Sequence, residues 1–447
     1  MMPVEQWERL LKGHAVEPTL AVIGLNFRTS TVAIRERFWI SEERRTEAIH
    51  QLVRSEGIDE AMVLATCNRT EFILWTSDVA TACDSVLRFL AHHHELKLCE
   101  WSHFYRLMDD VALAHVFRVA SSLDSMTLGE PEIVTHMSDA WKRAKEADCT
   151  GRYLDSIVQK ALNVSKRIRS ELALTDETVS MPYAAVELSI QELGDLTGRE
   201  VLLIGSGRIS ELAARRLTSA GAGKLNITGR TSAHAEELAA RLNAHFVPFE
   251  DRRHYLETAD IVVSSTSSPH YIITREQAEV VARSREHRPL VLIDIAVPRD
   301  IEPSVREIPG MRLFDIDDLE HAIRRNTGDH QAAVAMAEKI VSSEVSGFRR
   351  KLATEQSVPA FVALRQHLDE LCREELAVLR QEFGPFTADQ DQAMTAFAVH
   401  VTQRIASSLS RELKRSPERD DPTMLCAAVS RLIGMQELPC IATKDKN

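Results

Sequence analysis

The segment Glu200-Val-Leu-Leu-Ile204, followed by Gly205-Ser-Gly-Arg-Ile-Ser210 and an amphipathic run from Glu211 to Ala220, constrains this chain more than any other feature. A continuous apolar strand needs cover on both faces, so it belongs inside a sheet flanked by helices. The turn after it has glycine where a strand must reverse tightly into a helix, and again where the backbone must approach a ligand. Further apolar strands are expected at Lys224-Leu-Asn-Ile-Thr228, at 259–265 and at 290–295, with helical pattern between them. Such alternation predicts a parallel, doubly wound, Rossmann-like sheet. In that context Gly205, Ser206, Gly207, Arg208, Ile209 and Ser210 form a candidate dinucleotide-binding turn. Its third small position, usually Gly or Ala, is Ser210.

The end of the next strand discriminates the coenzyme. A free ribose needs an acid there, but the chain reads Gly229-Arg230-Thr231-Ser232. Arg230 and Thr231, with Ser232, suit a 2′-phosphate, which favours NADPH; a solvated loop charge is the alternative for Arg230.

Upstream, Leu20-Ala-Val-Ile-Gly24 reads as a buried strand, followed by a helical stretch with Ser41 as N-cap and Glu42 and Glu43 in its first turn. Ala61–Ala65 and Phe72–Trp75 are short strands flanking Thr66-Cys67-Asn68-Arg69. A helix around 79–95 and a strand near 101–107 complete a β-α-β-β-α-β order, which predicts an α+β, ferredoxin-like unit. Residues 109–173 read as almost wholly helical, and 1–17 as a tail or leader helix. From about 327 the pattern is all helix, with apolar stripes such as Val341, Val345 and Phe348, and Met394, Phe397 and Val401. Pro359 is expected to break the first of these helices from the second. Stripes this long suggest an interface as well as a core; a self-contained bundle is the alternative.

The length of 447 residues accommodates this multidomain α/β reading, at roughly 150 residues per domain. No apolar run approaches the roughly 18–20 residues of a membrane helix. The start, Met-Met-Pro-Val-Glu-Gln-Trp, lacks the basic and apolar regions of a secretory signal, so a cytoplasmic protein is expected. Seven scattered cysteines without a C-x-x-C argue against a disulfide framework or a zinc knuckle. A net charge of −12 argues against a broad nucleic-acid-coating surface. Lys142, Arg143, Lys145, Lys160, Lys166, Arg167 and Arg169 still make 142–169 locally basic, a possible phosphate contact or plain solvated surface.

Cys67, next but one to Arg69, has a route to a lowered thiolate pKa, as a nucleophile needs. Taken alone, a buried structural cysteine is the simpler reading. His115, in the apolar run Val111-Ala-Leu-Ala-His-Val-Phe, reads alone as a satisfied core histidine. His92-His-His94 has no acidic or cysteine partner in view, and no metal site is expected.

Several motifs then agree. Gly24-Leu-Asn-Phe-Arg-Thr29, Thr66-Cys-Asn-Arg-Thr-Glu71, Ser122-Leu-Asp-Ser-Met-Thr-Leu-Gly-Glu-Pro131, Val179–Glu187, Asp294-Ile-Ala-Val-Pro-Arg-Asp300 and Leu313–Leu319 resemble glutamyl-tRNA reductases, from about residue 20 to 435. The resemblance implies NADPH-dependent reduction of glutamyl-tRNA(Glu) to glutamate-1-semialdehyde, the opening step of five-carbon tetrapyrrole synthesis. It implies Cys67 as the nucleophile that forms an acyl thioester, Arg69 as the grip on the substrate glutamate, and His115 as the nearby catalytic histidine. Thr66, Asn68, Ser125, Glu130, Pro131, Glu132 and His136 match substrate-contacting positions. It further implies a homodimer built from a catalytic domain (18–173), an NADPH-binding domain (174–325) and a helical dimerisation domain (326–435). Glutamate-1-semialdehyde aminomutase, which would take the product, is a candidate partner. The chain departs from the family pattern at Phe27, where His is usual, at Glu132 and His136, where Gln is usual, and at Ser210. The alternatives are another NADPH oxidoreductase on the same nucleotide fold, related to shikimate dehydrogenase, and a non-catalytic tRNA-binding or regulatory paralogue.

Overall fold

The computed structural model describes residues 18–55, 57–126, 129–130, 132–172, 181–326 and 331–415. The expectations on residues 1–17 and on Pro131 lie outside them.

The first sheet consists of β1 (Thr19–Asn26), β2 (Ile58–Ala65), β3 (Arg69–Thr76) and β4 (Tyr105–Met108), in the order β2-β3-β1-β4. Every pairing is antiparallel. Helices α1 (Val32–Arg37) and α2 (Glu42–Val53) join β1 to β2, and α3 (Val79–His94) joins β3 to β4. This is the split-βαβ, ferredoxin-like topology expected. Asp78 caps α3 by accepting from the amides of Ala80 and Thr81. The strand expected near 101–107 is shorter: a 3₁₀ turn at Leu98–His103 precedes β4.

Strand register decides what meets at the end of this sheet. Gly24 on β1 lies opposite Glu71 on β3 and Tyr105 on β4. A Cβ at Gly24 would stand 2.8 Å from Glu71 Cγ and 2.6 Å from the Thr70 carbonyl oxygen. Glycine there leaves room for the Glu71 side chain to cross β1. Helices α4 (Asp109–Ala120), α5 (Glu132–Glu146) and α6 (Arg152–Leu172) complete this part; the buried stripe of α6 runs Leu154, Ile157, Val158, Ala161, Val164 and Ile168.

The second sheet has six parallel strands: β5 (Glu200–Ile204), β6 (Lys224–Thr228), β7 (His245–Phe246), β8 (Ile261–Ser264), β9 (Leu290–Asp294) and β10 (Met311–Phe314). Their order, β10-β9-β8-β5-β6-β7, is the doubly wound one, and it reverses between β5 and β8. Flanking helices include α7 (Met181–Leu193), α8 (Arg208–Ser219), α9 (Ser232–Leu242), α10 (Arg252–Thr258), α11 (Arg275–Ser284) and α12 (Ile316–Asn326). The sequence pattern missed β7, which has two residues, and β10, where Arg312 is exposed between buried Met311 and Leu313.

One apolar cluster crosses from the first sheet to the second. Phe27, Val32 and Met126 pack with Val201, Leu203, Ile293 and Val297, and Cys67 and Trp39 lie against the same cluster.

By its contacts the chain divides into two units, residues 1–341 and 342–447. Helix α13 (Gln331–Phe383) belongs to both, and α14 (Ala388–Arg415) to the second. Pro359 does not break α13, contrary to expectation: the helix runs unbroken through it for 53 residues. A proline inside a helix removes one intrahelical hydrogen bond, and a helix this long carries that loss. The break falls at Gly384-Pro385 instead. Within the second unit, Arg380 donates to Asp391 (2.5 and 3.0 Å) and Thr402 to Asp369 (3.0 Å), so α14 runs back antiparallel to α13. Val362, Leu371, Val378, Phe383 (68%), Phe397 (71%) and Ile405 remain exposed along this hairpin.

Candidate active site

Thr66–Arg69 is the turn that reverses β2 into β3. The Thr66 amide donates to the Arg69 carbonyl (2.8 Å) and the Asn68 amide to Thr66 Oγ1 (3.1 Å). The Phe27 amide holds the Asn68 carbonyl at 2.9 Å. The turn therefore presents Cys67 on a backbone fixed on both sides. Asn68 Oδ1 is buried without a partner within the chain.

Behind the turn lies a buried charge network. Arg69 is 1% exposed; its guanidinium donates to Glu71 Oε1 (2.6 Å), to the Asp124 carboxylate (3.3 Å) and to the Asp124 carbonyl. Glu71 also accepts from the Tyr105 hydroxyl, and His115 Nε2 lies 2.9 Å from the same oxygen. Asp124 accepts from Asn26 (3.2 Å) and from Arg28 (2.7 Å), whose side chain is 54% exposed. Burial opposes the Glu71 charge, but the Arg69 guanidinium and His115 overcome it and hold the carboxyl at about 2. Burial and the neighbouring Glu71 charge push Tyr105 far above the usual phenol range. Arg69 is thus fully engaged by acids of its own chain, and the exposed cation at this spot is Arg28.

The Cys67 thiol corrects one expectation. Burial against the apolar cluster, followed by the Glu130 charge, pushes it up to about 12, and Arg35 and Arg69 only partly oppose this. Arg69, close in sequence, lowers it too little to offset burial, because that guanidinium is also held by Glu71 and Asp124. Glu130 is itself pushed up to about 7, by burial and by the Glu132 charge, against a hydrogen bond from Ser125. The Ser122 hydroxyl fixes the Glu130 carbonyl at 2.5 Å.

At the C-terminal ends of the second sheet, the Gly205 amide donates to the Thr228 carbonyl (2.8 Å) with φ at +116°, and a Cβ there would stand 2.5 Å from the Ser265 carbonyl oxygen. Only glycine fits. Gly207 starts α8, and a Cβ on it would meet open space. Ser206 lies near Gly229, and Ile209 packs on the shared cluster. Ser210 Oγ and Thr228 Oγ1 are buried without partners in the chain. Arg230, Thr231 and Ser232 are exposed at the start of α9. Glycines at the first and third positions of the turn, open space at a helix N-terminus and these hydroxyls fit a dinucleotide. Asp300 lies at the reversal of strand order, accepting from Ser264 (2.6 Å) and from Thr266 (2.5 and 2.9 Å). Burial raises its pKa, and burial with the Asp300 charge raises Asp294 well above the usual carboxylate range.

The structure brings Thr66, Cys67, Asn68, Arg69, His115, Ser125 and Glu130 to one end of the first sheet. Glu132 instead reaches across to the glycine turn, 3.1 Å from Arg208. His136 is exposed on α5, where the charges nearest it are Arg45, Asp139 and Glu132. In the basic stretch, Arg143 pairs with Glu42, Lys145 with Asp155 and Arg167 with Glu171, so much of its charge is neutralised. Among the described residues no group of three or more His, Cys, Asp or Glu is arranged to hold a metal, and no helix is long and apolar enough to cross a membrane.

A doubly wound sheet with a glycine turn, packed through a shared apolar cluster against a cysteine-bearing ferredoxin-like domain, defines a dehydrogenase-type oxidoreductase. Residues 23–172 match the model of the glutamyl-tRNAGlu reductase N-terminal domain, 187–322 that of shikimate / quinate 5-dehydrogenase, and 336–435 that of the glutamyl-tRNAGlu reductase dimerisation domain. The glutamyl-tRNA reductase of Solibacter usitatus is 34% identical over 94% of this chain and 100% of its own length. That of Syntrophotalea carbinolica is 36% identical over 93% of this chain and 94% of its own. The solved glutamyl-tRNA reductase from Methanopyrus kandleri, 27% identical, covers 94% of this chain and 99% of its own with a TM-score of 0.50. The chain belongs to the glutamyl-tRNA reductase family, NAD(P)-dependent oxidoreductases at the first step of tetrapyrrole synthesis. It carries the family's dimerisation domain, and nothing in these likenesses supports a non-catalytic paralogue.

Proposed function

We propose that the chain reduces glutamyl-tRNA(Glu) to glutamate-1-semialdehyde with NADPH, through an acyl thioester on Cys67. The observation that carries the reading is the position of Cys67, on a rigid hairpin turn and against the apolar cluster shared with the nucleotide-binding sheet. The three domains of the reading are 18–173, 174–325 and 326–435, and the exposed apolar residues of the α13–α14 hairpin supply the homodimer contact. A cytoplasmic location and hand-over of the reactive aldehyde to glutamate-1-semialdehyde aminomutase belong to the same reading.

Cys67 sulfur bonds to the ester carbonyl carbon and the ribose oxygen leaves with a proton, giving free tRNA and a thioester. Because burial keeps the resting thiol protonated, a base must take its proton as the sulfur attacks. Glu130, whose charge acts on that thiol and whose carboxyl sits at about 7, is the acceptor this reading favours. Arg28 and Arg69 receive the substrate's side-chain carboxylate in exchange for Asp124. His115 holds Glu71 and through it the aim of Arg69. NADPH, when bound, would supply the hydride for reduction to the aldehyde, the C–S bond breaking and the Cys67 sulfur taking a proton. Gly205, Ser206, Gly207, Arg208, Ile209 and Ser210 would hold its pyrophosphate end, and Arg230 and Thr231 its 2′-phosphate.

The test is a single turnover with charged tRNA(Glu). With NADPH withheld, mass spectrometry should find a glutamyl adduct on Cys67, and Cys67→Ser should lose at least about 10³-fold in rate, since the hydroxyl is a far weaker nucleophile. An adduct on another cysteine, or full activity of the serine variant, would sink the assignment.

A further inference from the structure

We infer that Arg35 is a positioning residue that links the setting of the Cys67 turn to the docking of the nucleotide-binding domain. The inference rests on the reading of Cys67 as the nucleophile.

Arg35 is 2% exposed, although it sits on α1, a helix of six residues. Its guanidinium divides among three acceptors. Nε donates to the Cys67 carbonyl (3.2 Å), Nη1 to the Ser30 carbonyl (2.8 Å) and Nη2 to Asp317 Oδ1 (2.7 Å). Asp317 belongs to α12, beyond the second sheet, and its other oxygen accepts from the Val32 amide at 2.8 Å. One carboxylate of the nucleotide-binding domain therefore holds both the start of α1 and the arginine that holds the cysteine's own carbonyl. The remaining bonds of the turn fix Thr66, Asn68 and Arg69, the neighbours of Cys67.

The adjacent residue makes the comparison that exposes the role. Glu36 accepts from Arg299 through Nη2 (2.6 Å), Nε (3.0 Å) and the backbone amide (3.2 Å). The two pairs have opposite polarity, Arg35 to Asp317 and Glu36 to Arg299, so together they fix the register of the domains. They differ in reach: the Glu36 pair ends at the seam, whereas the Arg35 pair continues to Cys67. If the domain withdraws, Asp317 leaves and a buried guanidinium loses its counter-charge. A cation in that state reorients toward water or another acceptor, releasing the Cys67 carbonyl. The Arg35 charge also favours the thiolate, so its displacement weakens the nucleophile as well. The consequence is order in the reaction: acyl capture is efficient when the domain that carries the hydride donor is seated, and a thioester is not left to water in an open state.

The test measures acylation of Cys67 by charged tRNA(Glu) without NADPH, by quenched-flow and intact mass, and then discharge of the adduct when NADPH is added. The parent chain must show the adduct on Cys67; its absence there would count against the nucleophile reading, not against this one. Arg35→Lys keeps a charge for Asp317 but not the fork that reaches the Cys67 and Ser30 carbonyls. It should slow acylation at least tenfold and discharge less than threefold. Asp317→Asn should slow acylation about tenfold, and Glu36→Gln, which loosens the seam alone, should slow discharge more than acylation. Acylation by Arg35→Lys within twofold of the parent, or equal acylation losses in Asp317→Asn and Glu36→Gln, would overturn the inference. Circular dichroism establishes that each variant is folded; if Asp317→Asn is not, the contrast between Arg35→Lys and Glu36→Gln decides.

Discussion

The two turns that carry the chemistry follow opposite strategies. Around Thr66–Glu71 the polar groups are buried and engaged with one another: Arg69, Glu71, Tyr105, His115 and Asp124 form one network. Around Gly205–Ser210 the two glycines leave bare backbone, with open space beside Gly207 and unpartnered hydroxyls at Ser210 and Thr228. A site that must aim a nucleophile invests in fixed charge, since misplacement by an ångström is costly in rate. A site that must admit a large anionic coenzyme gains more from absence of bulk and from the amides at a helix start. The Arg208–Glu132 bridge joins the two and is of neither kind, with Arg208 63% exposed.

The widest gap between the two turns should appear in stability. Glu71→Gln removes the charge that balances a guanidinium 1% exposed, and breaking a buried pair from one side costs roughly 3–5 kcal/mol. Urea denaturation at neutral pH measures it. Arg208→Ala, at the exposed bridge, should cost less than about 1 kcal/mol. Equal losses would erase that distinction.

Second is Gly205→Ala. The added Cβ meets the Ser265 carbonyl at 2.5 Å with φ at +116°, so the turn must shift or strain by about 2–3 kcal/mol. Affinity for NADPH, read by fluorescence titration, should fall at least about tenfold, while acylation of Cys67 without coenzyme persists. Loss of acylation too would mean that the damage spreads beyond the nucleotide turn.

The same contrast explains what could be read from sequence. The coenzyme turn is a backbone pattern confined to a few neighbouring residues, and β5, β6 and their glycines fall where the pattern put them. The ferredoxin-like order was likewise legible from short apolar strands around Thr66–Arg69. What escaped is long-range pairing. Arg35 reads as one more charge on a short helix, because its partner Asp317 is 282 positions away. A hint existed, since Arg35 falls between Val32 and Phe38 on the apolar side of α1, where a charge needs a buried partner. The raised Cys67 thiol escapes for a related reason: nearness to Arg69 in sequence says nothing about which acids already hold that arginine. Pro359 shows the converse, a strong local signal overridden by the helix around it.

A smaller effect separates the coenzymes. Arg230 is exposed beside the glycine turn, and the strand end offers no acid for a free ribose hydroxyl. A charge-assisted contact to phosphate is worth about 1.5–3 kcal/mol, so Arg230→Ala should raise the Michaelis constant for NADPH roughly ten- to a hundredfold. Use of NADH should change little. Equal loss with both coenzymes would make Arg230 structural and move the phosphate contact to Arg208.

The smallest effect belongs to Glu130, which lies at the meeting of the two turns: its charge acts on Cys67, and Glu132, which reaches Arg208, acts on it. Its carboxyl is raised from 4.5 to about 7 in the folded chain, so folding favours the protonated form. That contribution to stability is fully present below pH 4.5 and is lost as pH rises through about 7. Because the residue is only half-buried, solvent screening reduces the effect to about 1 kcal/mol. Glu130→Gln cannot ionise, so it should unfold at nearly the parent's urea concentration at pH 5 and at a higher one at pH 8. The same substitution should flatten the rise in Cys67 acylation through neutral pH if Glu130 accepts the thiol proton. A variant that gains stability at pH 8 but keeps the parent's acylation profile would leave Glu130 a burdened neighbour of the thiol and pass the proton to another acceptor.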